Sequence, residues 1–145
     1  MTQYEIDILS KDLYARLPYS VKGQYLNSND PLLKAVTISY GSLSKSNGMI
    51  MEGSLVPWLF PLSSMTKEQR VELYKALGLG YESHYHLSKE WENFNNSINN
   101  NDLFLPASWV SDLNKMYDYL NKNHFDYRGL IPMGLANDAT DKNIY

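Results

Sequence analysis

The sequence predicts one α+β domain over residues 1–137, with a small antiparallel β-meander of about three strands packed against three or four helices. Apolar residues recur every three or four positions in several segments, which is typical of helices, whereas the N-terminal half also contains alternating, β-branched stretches. A chain of 145 residues fits one domain with a substantial core. The polar tail, residues 138–145, is expected to fray.

The first predicted element is a short helix whose apolar face carries Ile6, Leu9, Leu13 and Leu17. Pro18 should end it, because the residue before a proline is driven out of the α region.

Three strands should follow, at residues 19–26, 32–40 and 49–52, of which residues 32–40 give the clearest alternation. Their connections are too short for parallel crossovers, so the pairing should be antiparallel. Pro57 and Pro61 then bracket Trp58-Leu59-Phe60, which we interpret as an extended, buried connector.

The second half of the chain is predicted to be helical. Thr66 with Gln69 fits a capping box that opens one helix, with Val71, Tyr74 and Leu77 on its apolar face and Gly78 after its end. A second helix is indicated by the stripe Leu87, Trp91, Phe94 and Ile98, followed by an asparagine-rich loop at residues 99–102. The last helix starts near Pro106 and ends at residues 121–123, with the apolar stripe Trp109, Val110, Leu113, Met116, Tyr117 and Leu120.

Composition excludes several function classes. The net charge of -3 disfavours a nucleic-acid-binding role, since phosphate neutralisation normally requires a basic face. The absence of cysteine removes disulfides, thiolate catalysis and cysteine-based zinc sites, and agrees with a reducing cytoplasm. No signal peptide is expected, because residues 1–10 contain Glu5 and Asp7 and have no basic stretch followed by an apolar run. No membrane-spanning segment is expected either, because no apolar run approaches 18 residues.

Aromatic residues are abundant, with 12 Tyr, 3 Trp and 4 Phe. Tyrosine and tryptophan are favoured at binding surfaces because a large apolar face carries a polar tip. They would equally serve to line a small core and its rim.

The segment richest in reactive groups is His124-Phe125-Asp126-Tyr127-Arg128-Gly129. In an extended strand His124, Asp126 and Arg128 would project to one face, where they could form an acid/base or anion-binding site. The alternative is a structural corner, in which Asp126 caps backbone amides and Arg128 pairs with a carboxylate.

Arg16 lies at the junction between the first helix and the first strand, beside Tyr19. It would either pair with Asp126 across the fold or offer a second cation to an anionic ligand. The candidate ligand-binding set is therefore Arg16, Tyr19, His124, Asp126, Tyr127 and Arg128.

No metal or cofactor site is predicted. His84-Tyr85-His86, with Glu82 and Glu90 nearby, is a weak metal pattern, since the chain has only 3 His and no H-E-x-x-H sequence. The chain also lacks the P-loop, the G-x-G-x-x-G fingerprint and the G-x-S-x-G elbow, so no complete catalytic set is present.

Three stretches resemble a family of small hypothetical proteins encoded by phages and prophages of gut Bacteroidales: Ala15-Arg16-Leu17-Pro18-Tyr19 with its flanks, Pro61-Leu62-Ser63-Ser64-Met65-Thr66, and His124-Phe125-Asp126-Tyr127-Arg128-Gly129-Leu130-Ile131-Pro132. The sequence departs from the family pattern at Tyr14 and Ser20, and residues 78–107 look individual. The resemblance carries over no catalytic residue. It implies a phage-borne accessory gene that acts in the cytoplasm of a bacterial host.

The leading hypothesis is therefore a non-catalytic, phage-encoded binding protein, with a counter-defence role as one case, whose partner is a host protein or a small anionic, nucleotide-like ligand. One alternative is an enzyme acting on a phosphate-bearing substrate through His124, with Arg16 and Arg128 as anion clamps. A second alternative is a nucleic-acid accessory protein. The oligomeric state is left open.

Overall fold

The computed structural model describes residues 1–40, 43, 54–77, 89–103 and 113–145, apart from the side chain of Glu90. These residues form four α-helices, α1 (Gln3–Arg16), α2 (Lys67–Ala76), α3 (Lys89–Asn99) and α4 (Leu113–Lys122). They also form five strands, β1 (Lys22–Tyr25), β2 (Val36–Thr37), β3 (Leu55–Pro61), β4 (Phe125–Asp126) and β5 (Asn137–Asp138). The predicted α+β class is confirmed.

The chain divides into two compact units. Unit 1 comprises Met1–Phe60 and Arg128–Tyr145, and unit 2 comprises Pro61–Tyr127. The prediction of one domain over residues 1–137 stays a prediction.

Helix α1 of unit 1 begins at a capping box, in which Thr2 Oγ1 accepts from the Glu5 amide at 3.2 Å and the Glu5 carboxylate accepts from the Thr2 amide at 2.6 Å. These hydrogen bonds favour the charged carboxylate, which lowers the pKa of Glu5. The predicted apolar face is confirmed for Leu9 and Leu13, which are buried. After Arg16 the chain tightens into the 3₁₀ turn Leu17–Tyr19, so α1 ends next to Pro18 as predicted. The predicted reason is wrong, however, because Leu17 keeps right-handed helical angles, with φ of -53° and ψ of -42°.

The sheet of unit 1 is mixed rather than purely antiparallel. Strand β1 pairs antiparallel with β2 and with β3, so that Gly23 lies opposite both Val36 and Pro57. Strand β5 pairs parallel with β3. The prediction of a wholly antiparallel meander is therefore wrong, because it considered only neighbouring strands, whereas a parallel pair needs the long connection that separates β3 from β5.

Two local predictions also need correction. Residues 31–34 form a 3₁₀ helix and not a strand, because Pro31 suits a first helical position and the Asp30 side chain accepts from the Leu32 amide. The predicted connector around Trp58 is extended as expected, but it is strand β3 of the sheet, with Leu55 and Leu59 fully buried. The strand predicted at residues 49–52 lies outside the described residues.

The core of unit 1 gathers apolar side chains from α1, the strands and the segment after residue 129: Leu9, Leu13, Val21, Ile38, Leu43, Leu55, Leu59, Leu130, Leu135 and Ala136. Gly23 lies at its most crowded point. A Cβ atom at Gly23 would lie 2.7 Å from Ile38 Cδ1 and 3.2 Å from Leu55 Cδ1. The glycine therefore allows β1 to approach the core closely.

Substituting Gly23→Ala should lower the free energy of unfolding by about 1–3 kcal/mol, because the new methyl group overpacks the core. The measurement is urea unfolding of the wild type, Gly23→Ala, Ile38→Val and the double variant. Ile38→Val deletes Cδ1, the nearest atom, so the double variant should lose less stability than the sum of the single losses. Strictly additive losses would contradict the predicted clash.

Unit 2 follows the predicted helices closely where it is described. Thr66 and Gln69 form the expected capping box at the start of α2, and Trp91, Phe94 and Ile98 are the buried stripe of α3. Met116 and Leu120 are buried on α4, whereas Tyr117 is 40% exposed. Predicted features at Gly78, Leu87, Pro106, Trp109 and Val110 lie outside the described residues.

Asparagine side chains in α3 and in the loop that follows it form hydrogen bonds within unit 2. Asn95 Oδ1 accepts from Arg70 Nη1 at 2.5 Å, and Asn101 Oδ1 accepts from the Ser63 amide at 2.9 Å. Asn101 has φ of 54°, a left-handed conformation that asparagine tolerates well. Helix α3 continues to Asn99, and the turn starts at Asn100.

The segment over residues 138–145 is hydrogen-bonded to the rest of unit 1, which differs from the expected frayed tail, although most of its residues are exposed. Ala139 is buried and its amide donates to the Leu59 carbonyl at 2.8 Å. Lys22 Nζ donates to the Ile144 carbonyl at 2.8 Å. Fraying was predicted from the polar composition of the segment. These hydrogen bonds join residues that are far apart in the sequence, so no local pattern indicates them. Among the described residues, no helix has the length and apolar character needed to cross a membrane.

Candidate functional site

A buried carboxylate organises the candidate residues of unit 1. Arg16 Nε donates to Asp12 Oδ2 at 2.6 Å and Arg16 Nη2 donates to Asp12 Oδ1 at 2.9 Å. Both side chains are 0% exposed. Spacing of four residues on α1 places the two groups on one helix face, and the planar guanidinium fork matches the carboxylate.

Arg128 approaches the same carboxylate from the far end of the sequence. Its Nε lies 3.2 Å from Asp12 Oδ1, and its side chain is 29% exposed. Arg16 and Arg128 therefore both contact Asp12 within unit 1. Gly129, with φ of 74°, turns the chain immediately after this contact.

Tyr145 lies close to this ion pair. Its hydroxyl accepts from the Lys22 amide at 3.1 Å and donates to the Trp58 carbonyl at 2.6 Å. Burial raises the pKa of Tyr145 to about 12; the Lys22 hydrogen bond and the charge of Arg16 oppose this rise, and the charge of Asp12 adds to it. The phenol is therefore a neutral hydrogen-bonding group near pH 7.

Tyr19 ends the 3₁₀ turn that follows Arg16 and is half-buried. The next residue, Ser20, has φ of 57°, which redirects the chain into β1. Tyr19 thus lies at the predicted junction between helix and strand.

The remaining candidates belong to unit 2. His124 and Asp126 are buried, and Tyr127 is half-buried with its ring 5.2 Å from that of Tyr117. His124 has φ of 60°, and its amide donates to the Asn121 carbonyl at 3.1 Å.

The extended backbone that would align His124, Asp126 and Arg128 on one face is absent from this segment. His124 is left-handed at the end of α4, β4 covers only Phe125–Asp126, and the Tyr127 amide donates to the Phe125 carbonyl in a tight turn. Strand alternation does not extend through such turns, so the extended backbone on which the one-face arrangement depended is not formed.

Asp12 is the member of this cluster that sequence reasoning missed. The structure places it against both arginines, whereas the predicted partner of Arg16 was Asp126. Contact between Arg16 and Asp126 stays a prediction. The signal for Asp12 was available, because aspartate and arginine four residues apart on a helix form a common ion pair.

The metal pattern is not tested, because Glu82, His84, His86 and the side chain of Glu90 lie outside the described part of the chain. Within that part, no group of three or more histidine or acidic side chains could hold a metal ion.

Chemically, the unit 1 cluster pairs the buried cation Arg16 with a carboxylate rather than presenting it to solvent. Arg16 directs its guanidinium fork at a carboxylate and is shielded from solvent, so an anion would reach it only after the bidentate pair opens. Arg128 keeps some solvent contact, but its Nε faces Asp12. No protein-family profile, curated protein or solved structure matches the chain.

Proposed function

We propose that this protein is a non-catalytic binding protein of phage origin that acts in the cytoplasm of a bacterial host by binding a host protein, with counter-defence as one setting. The phage setting is inferred from the resemblance of residues 15–19, 61–66 and 124–132 to the phage-encoded family. The choice of a protein partner is inferred from an exposed leucine held on a well-ordered turn.

The leucine is Leu32, which is 81% exposed, the highest value among the large hydrophobic residues that the structure shows as exposed. It lies in the 3₁₀ turn Pro31–Lys34 of unit 1. Leu26, 52% exposed, precedes the same connection. Two exposed leucines in one short connection are an apolar feature that a partner could cover.

Several hydrogen bonds hold this turn in place. The Asp30 side chain accepts from the Leu32 amide at 2.9 Å, and the Asp30 carbonyl accepts from the Leu33 amide at 3.0 Å. Trp58 Nε1 donates to the Lys34 carbonyl at 2.7 Å, which ties the turn to β3. A side chain presented by an ordered turn loses little conformational entropy on binding.

Burying one leucine side chain contributes about 1.5–3 kcal/mol, a magnitude typical of an interface hot spot. An anionic ligand is less well supported than a protein, because Arg16 already forms a bidentate pair with Asp12. The same burial weighs against an enzyme that uses Arg16 as an anion clamp.

The test begins with capture of proteins from a gut Bacteroidales lysate, followed by affinity measurements with the purified captured protein. Leu32→Ser should weaken that affinity about tenfold or more, whereas Leu32→Met, which keeps an apolar side chain, should bind nearly as the wild type does. Equal affinity of wild type and Leu32→Ser would overturn the proposed surface.

A thermal-shift screen against nucleotides and cyclic nucleotides separates the two kinds of partner. A ligand at about 100 times its Kd adds about 2.7 kcal/mol of stability. We expect no nucleotide to produce such a shift. A clear shift would mean that the partner is a small anionic ligand and not a host protein.

A further inference from the structure

The solvent-facing side of α1 carries an unusual set of side chains. Tyr4 is 67% exposed and Tyr14 is 46% exposed, and Asp7 and Lys11 between them are also exposed. The ring of Tyr14 is fixed by an edge-to-face contact with Tyr40, at 5.8 Å between centroids, and Tyr40 is itself 70% exposed. Large aromatic side chains thus occupy a helix face that the described residues of unit 1 leave exposed.

These four α1 residues form one stripe. Positions 4, 7, 11 and 14 are separated by three, four and three residues, which is the heptad spacing of a helix seam that faces another helix. The opposite face of α1 supplies Leu9 and Leu13 to the core. The helix therefore buries one face in its own unit and has a second, regular stripe toward solvent.

The order of residues in the stripe is self-complementary. Tyr4 and Tyr14 are equally distant from Leu9, and so are Asp7 and Lys11. When two copies of the helix lie antiparallel with their Leu9 positions level, Asp7 of each copy faces Lys11 of the other, and Tyr4 of each faces Tyr14 of the other. Parallel copies would instead place Asp7 against Asp7 and Lys11 against Lys11, which is repulsive.

We propose that the protein forms a two-fold symmetric homodimer through antiparallel packing of α1 on α1 of a second copy. The two central Asp7–Lys11 pairs set the register and orientation, and an aromatic cluster closes each end, where Tyr4 of one copy meets Tyr14 and Tyr40 of the other. Such an isologous interface uses the same patch on both subunits.

The side chains are already placed for this contact. Gln3 Nε2 donates to Asp7 Oδ1 at 2.8 Å, which orients the Asp7 carboxylate on the stripe. Tyr14 is held by Tyr40, so little rotamer freedom remains to be lost. A helix of 14 residues is about 21 Å long, so the interface is small and the dimer should be weak and concentration-dependent.

Charge exchange at two positions tests the dimer without touching the core. In the Asp7→Lys homodimer each central contact would bring two lysines together, and in the Lys11→Asp homodimer it would bring two aspartates together. Each variant alone should therefore dimerise about tenfold or more weakly than the wild type. An equimolar mixture of the two variants restores opposite-charge contacts and should dimerise. The double variant Asp7→Lys/Lys11→Asp should also dimerise.

Sedimentation equilibrium over a range of protein concentrations measures all four samples and the wild type. Circular dichroism shows whether each variant keeps its helix content. Folded variants that dimerise as the wild type does, a mixture that stays monomeric, or a wild type that is monomeric at the highest concentrations would each overturn the proposal. A variant pair that is monomeric alone and dimeric when mixed would establish the antiparallel register.

Discussion

Replacing Asp12 with alanine is expected to lower the free energy of unfolding by about 3–5 kcal/mol, the largest single effect that we predict for a polar residue. Asp12 is 0% exposed and contacts both Arg16 and Arg128. Removing the carboxylate takes away the charged acceptor of two guanidinium groups while Arg16 stays in the interior. A loss of this size approaches the total stability of many small domains.

Urea unfolding followed by circular dichroism gives the comparison. Asp102→Ala is the matched control, because Asp102 is exposed, and it should change the stability by no more than about 0.5 kcal/mol. If Asp12→Ala does not fold, Asp12→Asn keeps the shape of the side chain and should retain part of the stability. A loss below about 1 kcal/mol in Asp12→Ala would contradict the buried network.

A double-mutant cycle separates the ion pair from its surroundings. Arg16→Met alone and Asp12→Leu alone each leave one charged group in the interior, whereas the double variant removes both. The double variant should therefore lose less stability than the two single variants together. Additive losses would mean that Asp12 and Arg16 contribute independently, which their bidentate geometry excludes.

The sequence predicted the helices better than the strand pairing, for a physical reason. Helical periodicity identified α1, α2 and α3, because burial of one face imposes a spacing of three and four residues that local sequence displays. The pairing of β5 with β3 was missed, since no local pattern encodes which distant strand completes a sheet.

The candidate site shows the same division. Arg16 and Arg128 were chosen as candidates from their sequence positions, but Asp12, which both of them contact, was not. Alternation along residues 124–128 failed because it assumes an extended backbone, and the positive φ of His124 breaks that assumption. A single sequence gives almost no indication of which residues other than glycine and asparagine adopt a left-handed backbone conformation.

The second large effect is expected from Phe94→Ala in unit 2, which should lower the free energy of unfolding by about 3–5 kcal/mol. Phe94 is 0% exposed, and its ring centroid lies 5.7 Å from that of Trp91 and 5.9 Å from that of Tyr74. The substitution removes a large buried volume and two aromatic contacts, each worth about 0.5–1.5 kcal/mol beyond burial.

Phe94→Leu distinguishes these contributions, because leucine fills much of the volume but makes no ring contacts. It should lose about 1.5 kcal/mol or less if volume dominates, and clearly more if the aromatic cluster contributes its own energy. Near-ultraviolet circular dichroism reports the packing of Trp91 in the same samples. An alanine variant as stable as the wild type would mean that α3 does not depend on its apolar stripe. The spacing of Trp91, Phe94 and Ile98 would then reflect only the geometry of the helix, and burial of these side chains would not be what stabilises it.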